Sequence, residues 1–77
     1  MLNYKEIGKR IKKARCMENM TQAELAELAD ISNTYISRIE RGVKKASLES
    51  LAKISRILNI SLDILVFGSN EATDQSK

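Results

Sequence analysis

The sequence has 77 residues, with 13 lysines and arginines, 10 aspartates and glutamates, one cysteine and no histidine or proline, and its formal net charge is +3. This length fits one small domain, and 43% hydrophobic with 30% charged residues excludes both an intrinsically disordered chain and a membrane protein. Because histidine is missing and Cys16 is alone, most catalytic, zinc and disulfide chemistry is excluded, so we expect a binding protein without a cofactor or small-molecule ligand.

The first predicted helix runs from about Tyr4 to Glu18. Its apolar residues recur at steps of three and four, which places them on one face of the helix: Tyr4, Ile7, Ile11 and Ala14. The cations are expected to form mainly a solvated surface: Lys9, Arg10, Lys12 and Lys13. Cys16 is expected to be a small apolar filler. The N-terminal residues turn charged at once, unlike a secretory signal, so we expect a cytoplasmic protein.

A short turn separates the second and third predicted helices. Thr21 and Glu24 have the spacing of a capping box, which predicts that the second helix begins there. Its apolar residues are spaced for one face of the helix: Leu25, Leu28 and Ala29. The pattern breaks over residues 30–32, which leaves room only for a tight turn. Ser32 can cap the third helix, and Gly42 ends it.

Two further helices complete the predicted domain. After a basic loop over residues 43–46, Ser47 is the predicted cap of a fourth helix, and Asn59 ends it. The buried stripe of this helix is expected to contain Leu48, Leu51, Ile54, Ile57 and Leu58. Ser61 and Asp63 begin a short fifth helix. We expect the domain to cover residues 1–68 and residues 69–77 to be a disordered tail.

The charges are unevenly distributed along the chain. Residues 1–20 and residues 38–56 each carry six cations and two carboxylates, whereas residues 21–37 carry three carboxylates and no cation. Solvated helix faces would explain any one of these blocks. Two basic blocks around an acidic one are nevertheless compatible with nucleic acid as a partner.

The exposed face of the third predicted helix carries side chains suited to base recognition. These side chains are Asn33, Thr34, Ser37 and Arg38. Asparagine pairs with adenine, arginine pairs with guanine, and the threonine methyl can contact the thymine methyl. Two short helices joined by a tight turn, with such a face left in solvent, are typical of a helix-turn-helix.

The segment from Thr21 to Gly42, TQAELAELADISNTYISRIERG, closely resembles the phage-repressor-like helix-turn-helix family, also called the Xre or Cro family. The resemblance extends from about Ile7 to Leu65 and ends in NISLDIL, which is similar to the last helix of that family. It implies an all-α, compact five-helix, lambda-repressor-like DNA-binding domain. Helices 2 and 3 would form its helix-turn-helix.

The resemblance also implies which residues contact DNA. Gln22 matches a residue that contacts a DNA phosphate at the start of the second helix, where the helix dipole favours an anion. Asn33, Thr34 and Arg38 match base-contacting positions. Further DNA contacts are expected at neighbouring positions from Ser32, Tyr35 and Ser37. Lys44 and Lys45 are expected to lie along the DNA backbone. Taken alone, Gln22 and Arg38 could each be an ordinary surface residue.

Two other positions match or depart from the family pattern. Arg15 and Glu40 match a partly buried ion pair of some relatives, which would join the first helix to the end of the third. Asp30 departs from it, because many members have glycine at this turn position. Aspartate tolerates a positive φ better than most residues, so we expect the turn to be kept.

These residues predict a sequence-specific regulator of transcription whose partner is double-stranded DNA and not a membrane. We expect a repressor that binds a palindromic operator as a homodimer. The dimer would form through the C-terminal helix, by way of Ile64, Val66 or Phe67, unless these residues fold back onto the fourth helix. The alternatives are a restriction-modification controller protein, an antitoxin, or a protein-interaction module that has lost DNA binding.

Overall fold

Five short helices account for most of residues 2–68, the part of the chain that the structure, a computed structural model, describes. They are α1 (Tyr4–Met17), α2 (Gln22–Ala29), α3 (Asn33–Arg41), α4 (Leu48–Leu58) and α5 (Leu62–Phe67). No strand occurs in this range, so the fold is all-α, as predicted. The expected tail over residues 69–77 lies outside the described residues. Within residues 2–68 no helix is long and apolar enough to cross a membrane.

Each helix begins at a polar side chain that accepts a hydrogen bond from a backbone N–H in the first turn. These N-caps are Asn3, Thr21, Ser32, Ser47 and Ser61. The predicted capping box is complete, because the Glu24 N–H donates to the Thr21 hydroxyl over 3.0 Å and the Thr21 N–H donates to Glu24 Oε1 over 2.8 Å. Such bonds satisfy N–H groups that a helix start leaves without partners. The predicted starts of α2 to α5 are confirmed.

Residues in the left-handed backbone conformation end three of the helices. They are Asp30 after α2 with φ 58°, Gly42 after α3 with φ 76°, and Asn59 after α4 with φ 57°. Aspartate and asparagine adopt this conformation more readily than other residues that carry a Cβ. Asp30 therefore adopts the positive φ that this turn requires, and the turn is kept as expected.

The hydrophobic core draws residues from all five helices. Its largest fully buried side chains are Ile7, Ile11, Leu25, Ile36, Ile39, Ile54 and Leu65. Two expectations about burial are wrong: Leu48 is 70% exposed, and Cys16 is exposed. Leu28, which the spacing placed on one face with Leu25 and Ala29, is 62% exposed. Leu28 and Cys16 lie on the solvent sides of their helices, and Leu48 lies in the first turn of α4, outside the core cluster.

A side chain of α1 completes the end of α5. The helix α5 packs against α1 and α4. Arg10 Nη1 donates to the carbonyl oxygens of Leu65 and Val66 over 3.1 and 3.0 Å. The last carbonyls of a helix have no partner within it, so Arg10 supplies one. Arg10 is therefore an exception to the solvated surface expected for the α1 cations, whereas Lys12 and Lys13 are exposed.

Candidate nucleic-acid interface

The third helix has one buried side and one polar side. Ile36, Ile39 and Glu40 are buried, while α2 packs against the same helix across the turn of residues 30–32. The predicted DNA-contacting residues on its polar side are fully or partly accessible: Ser32, Asn33, Thr34 and Arg38 are exposed, and Tyr35 and Ser37 are half-buried. The fold thus leaves one polar face of α3 open along its whole length.

Two glycines allow α1 to lie very close to the second half of α3. A Cβ on Gly8 would lie against the Ile39 carbonyl oxygen and 2.7 Å from the Glu40 carbonyl oxygen. A Cβ on Gly42 would be 2.7 Å from Lys5 Cα, and its φ of 76° also disfavours any other residue. The position of α3 relative to α1 therefore depends on the absence of side chains at these two residues.

A polar network joins α1, α2 and α3 beneath this interface. Arg15 Nε donates to Glu40 Oε2 over 2.7 Å, and Arg15 Nη2 donates to Glu40 Oε1 over 3.0 Å. Arg15 Nη1 donates to the Met20 carbonyl over 2.7 Å. The hydrogen bonds with the Glu40 carboxylate outweigh the desolvation that opposes them and raise the pKa of Arg15 above its ordinary value. The ion pair expected between Arg15 and Glu40 is therefore present.

Gln22 belongs to the same network. Its Nε2 donates to Glu40 Oε1 over 3.0 Å, which places Gln22 beside the last turn of α3. Ser32, Asn33 and Thr34 lie at the opposite end of that helix, about 10 Å away along its axis at 1.5 Å per residue. The predicted DNA-contacting residues therefore form two groups, one at each end of α3.

Tyr35 connects α3 to the start of α4. Its hydroxyl oxygen accepts a hydrogen bond from the Ser47 N–H over 3.2 Å. Desolvation raises the pKa of Tyr35, but hydrogen bonds with Ser47 and Ser50 and the charge of Lys44 outweigh it, so the pKa lies below its ordinary value of 10.0. We therefore infer that the main role of Tyr35 is to hold the loop between α3 and α4 in place. Any contact with DNA would be made in addition to its hydrogen bond with Ser47.

The two lysines of this loop differ in their surroundings. Both Lys44 and Lys45 are exposed, as expected for residues that contact a DNA backbone. Lys45 Nζ lies 5.8 Å from the centroid of the Tyr4 ring, within the range of a cation–π interaction. Lys45 is thereby held toward the start of α1.

One exposed cation on α3 was missed by the sequence reasoning. Arg41 ends α3 and is exposed, and it follows Arg38 by three residues and Thr34 by seven. Residues three and seven apart share a helix face, so the same spacing that selected Arg38 could have identified Arg41.

Among residues 2–68 no group of three or more histidine, cysteine, aspartate and glutamate side chains could hold a metal ion.

Comparison with known proteins places the chain in a family. The helix-turn-helix family model matches residues 11–65, from α1 to α5. The chain belongs to the phage-repressor-like, or Xre and Cro, helix-turn-helix family. It is 38% identical to the control protein C.BamHI of Bacillus amyloliquefaciens over 72 residues, which is 91% of this chain and 89% of that protein. This family resemblance is the one that the sequence predicted.

A second curated relative is longer than this chain. The transcriptional regulator ImmR of Bacillus subtilis is 35% identical over 71 residues, which is 92% of this chain but only 55% of ImmR. The crystal structure of the P22 c2 repressor protein in complex with a synthetic operator is also similar, with a TM-score of 0.78 and 33% identity over 82% of this chain and 96% of that one. The chain therefore has the fold of helix-turn-helix transcriptional regulators, and these relatives are regulators rather than enzymes.

Proposed function

We propose that this protein binds double-stranded DNA at a specific sequence through α3 and represses transcription from that site. The observation that carries the proposal is the exposed polar face of α3, where Asn33, Thr34 and Arg38 follow one another on a helix whose other side is buried. A helix of this kind fits the major groove, where these side chain types distinguish base pairs. The similar P22 c2 repressor, crystallised with an operator, supports the same conclusion.

Phosphate contacts would hold the helix in position. Gln22 lies at the start of α2, where unpaired N–H groups and the helix dipole favour an anion. At this same end of α3, Arg41, Lys44 and Lys45 are exposed cations within five residues of one another. Phosphate contacts set orientation and affinity, whereas base contacts set specificity. Asn33 and Thr34, the proposed base contacts at the start of α3, are thus separate from the proposed phosphate contacts, and Arg38 lies between the two groups.

A dimer would bring two copies of α3 to one operator. Phe67 is 70% exposed, and it lines an open apolar groove together with Leu2, Leu48 and Val66. Leu65, by contrast, is fully buried against the core and is not available to a partner. Burial of the exposed residues between two copies would form a two-fold interface, and two α3 helices about 34 Å apart would require a palindromic site.

Selection of bound duplexes from a random pool tests the proposal as a whole. We expect the bound sequences to share two inverted half-sites whose centres are about one helical turn apart. Enrichment of a single half-site would contradict the palindromic operator. No enrichment, together with binding that is insensitive to salt, would contradict DNA binding itself and favour a protein-interaction module.

Arg38 and Lys44 should affect DNA binding differently. Arg38→Ala is expected to cost about 1 to 3 kcal/mol and to relax base preference at one position, because a base contact is lost. Lys44→Ala should weaken binding to all sequences alike and reduce the slope of log affinity against log salt by about 1, since one phosphate contact is lost. Fluorescence anisotropy on specific and random duplexes measures both. Equal losses on the two duplexes for Arg38→Ala would contradict base contact by this residue.

Phe67→Asp should convert the dimer to a monomer. A charge in an apolar interface must be desolvated without a partner, so we expect the dissociation constant of the dimer to rise at least about tenfold. Sedimentation velocity at several protein concentrations measures this constant. Leu28→Asp is the matched control, because Leu28 is a similarly exposed leucine, 62% exposed, on α2. A wild type that stays monomeric at high micromolar concentration, with and without DNA, would rule out the dimer.

A controller protein of a restriction-modification system is the second candidate. The similarity to the control protein C.BamHI favours it, because the matched region is 89% of that protein. Both candidates require the same DNA interface, so the position of the selected sites decides between them. Sites in front of restriction and modification genes would favour the controller, and sites in front of other genes would favour the repressor.

A further inference from the structure

The carboxylate of Glu40 holds side chains from two other helices at once. Arg15 of α1 approaches it with Nε at 2.7 Å and Nη2 at 3.0 Å, and Gln22 of α2 approaches with Nε2 at 3.0 Å. Glu40 is only 6% exposed, whereas Gln22 is half-buried and reaches the surface. A buried, fixed group thus holds an accessible amide at the start of α2.

We propose that Glu40 is a positioning residue for DNA binding, because its carboxylate holds the Gln22 amide in one orientation before DNA arrives. An amide NH₂ group has two hydrogens. One hydrogen is bound to Glu40, and the other remains for a phosphate oxygen beside the free N–H groups at the start of α2. This inference rests on the proposed function.

The advantage of such an arrangement is that the Gln22 side chain has less rotamer freedom in the free protein. A surface glutamine that must be immobilised on binding loses rotamer freedom, which reduces affinity by roughly twofold to tenfold. The Glu40 bond immobilises Gln22 during folding instead. The cost therefore falls on folding, and DNA binding avoids it.

Arg15 makes this arrangement compatible with a phosphate. An unpaired carboxylate so close to the DNA backbone would repel it. Two hydrogen bonds from the Arg15 guanidinium balance the Glu40 charge, so a phosphate near Gln22 would meet a neutral pair. Arg15 is accordingly required for the charge balance, and Glu40 for the orientation of the amide.

A double-mutant cycle tests the positioning role. In Glu40→Gln the amide oxygen is expected to keep the shortest bond, the one from Arg15 Nε at 2.7 Å. The NH₂ group then takes the place of Oε1 and faces the Gln22 amide, which leaves Gln22 without its acceptor. We expect Glu40→Gln to weaken binding to the selected duplex about fivefold when Gln22 is present. In the Gln22→Ala background the same change should weaken binding by less than about twofold, because there is no amide left to position. Equal losses in both backgrounds would overturn the proposal and leave Glu40 a purely structural role.

A second measurement uses the free wild-type protein, so it does not depend on whether Glu40→Gln folds. The sequence contains only two glutamines, Gln22 and Gln75, so Gln22→Ala assigns the side-chain amide signals in a ¹⁵N spectrum. We expect the Gln22 amide protons to exchange with water more slowly than those of the same residue in a short peptide of residues 19–25. Exchange as fast as in the peptide would overturn the proposal. A wild type with slow exchange that binds no duplex would instead overturn the proposed function, and the role in DNA binding with it.

Discussion

Replacing Gly8 by alanine is expected to destabilise the fold by about 3 kcal/mol, near the upper end of typical overpacking costs. Inside an ordinary helix the same substitution would be stabilising, because glycine has the larger backbone entropy in the unfolded chain. Here the new Cβ would lie 2.7 Å from the Glu40 carbonyl oxygen. That oxygen is part of the α3 backbone, so no side-chain rotation relieves the contact, and α1 and α3 must move apart. Urea unfolding followed by circular dichroism measures the loss.

Lys12→Ala is the matched control for this variant. It lies in the same helix on the exposed side, so we expect its effect on the free energy of unfolding to stay within about 0.5 kcal/mol. Gly8→Ala should also weaken DNA binding, since α3 is displaced relative to α1 and to the Arg15 side chain that α1 contributes to the network beneath the interface. A Gly8→Ala protein as stable as the wild type would mean that α1 and α3 are less closely packed than described.

The helix boundaries followed from local chemistry and were predictable for that reason. A hydroxyl such as that of Thr21, placed before a helix and three residues ahead of Glu24, satisfies N–H groups within its own turn, and this requires no knowledge of the rest of the fold. The same holds for Gly42 and Asn59, whose left-handed conformations depend on residue type: glycine has no Cβ to clash, and asparagine tolerates a positive φ.

Burial was less predictable, because it depends on where neighbouring helices lie. Leu28 shares the helical spacing of Leu25 but is rotated about 60° from it, on the side away from Ala29. The neighbours of α2 cover the side that contains Ala26 and Ala29, so Leu28 stays exposed. A hydrophobic pattern gives the centre of a buried face, whereas its edges are set by the packing of the whole domain.

The features of the candidate site also differ in how far the sequence could predict them. The exposure of Asn33, Thr34 and Arg38 followed from their spacing on one helix. The bond between Gln22 and Glu40 joins residues 18 apart in sequence on two different helices, and no local pattern encodes it. The sequence therefore identified Gln22 as a candidate phosphate contact but not the buried group that holds it.

Arg15→Ala is expected to destabilise the fold by about 3 to 5 kcal/mol, a large part of the stability of a domain this small. The variant removes three hydrogen bonds and leaves the Glu40 carboxylate buried without its cation. An uncompensated buried charge costs more than the ion pair contributes, because the desolvation of the remaining carboxylate is no longer offset. Thermal and urea unfolding of the two proteins measure the difference. A loss below about 1 kcal/mol would indicate that water reaches Glu40 once the arginine is removed.

A double variant that combines Arg15→Met with Glu40→Leu removes both charges. It separates two effects on the free energy of unfolding: the cost of one unpaired buried charge and the contribution of the ion pair itself. Replacement of both partners by apolar side chains is often neutral or stabilising, so the double variant should be much more stable than Arg15→Ala. It nevertheless removes the acceptor of Gln22, and we expect its DNA affinity to remain below that of the wild type. A double variant that regains stability without affinity would show that the buried pair is needed for DNA binding more than for folding. If the double variant is as unstable as Arg15→Ala, the pair contributes mainly to stability.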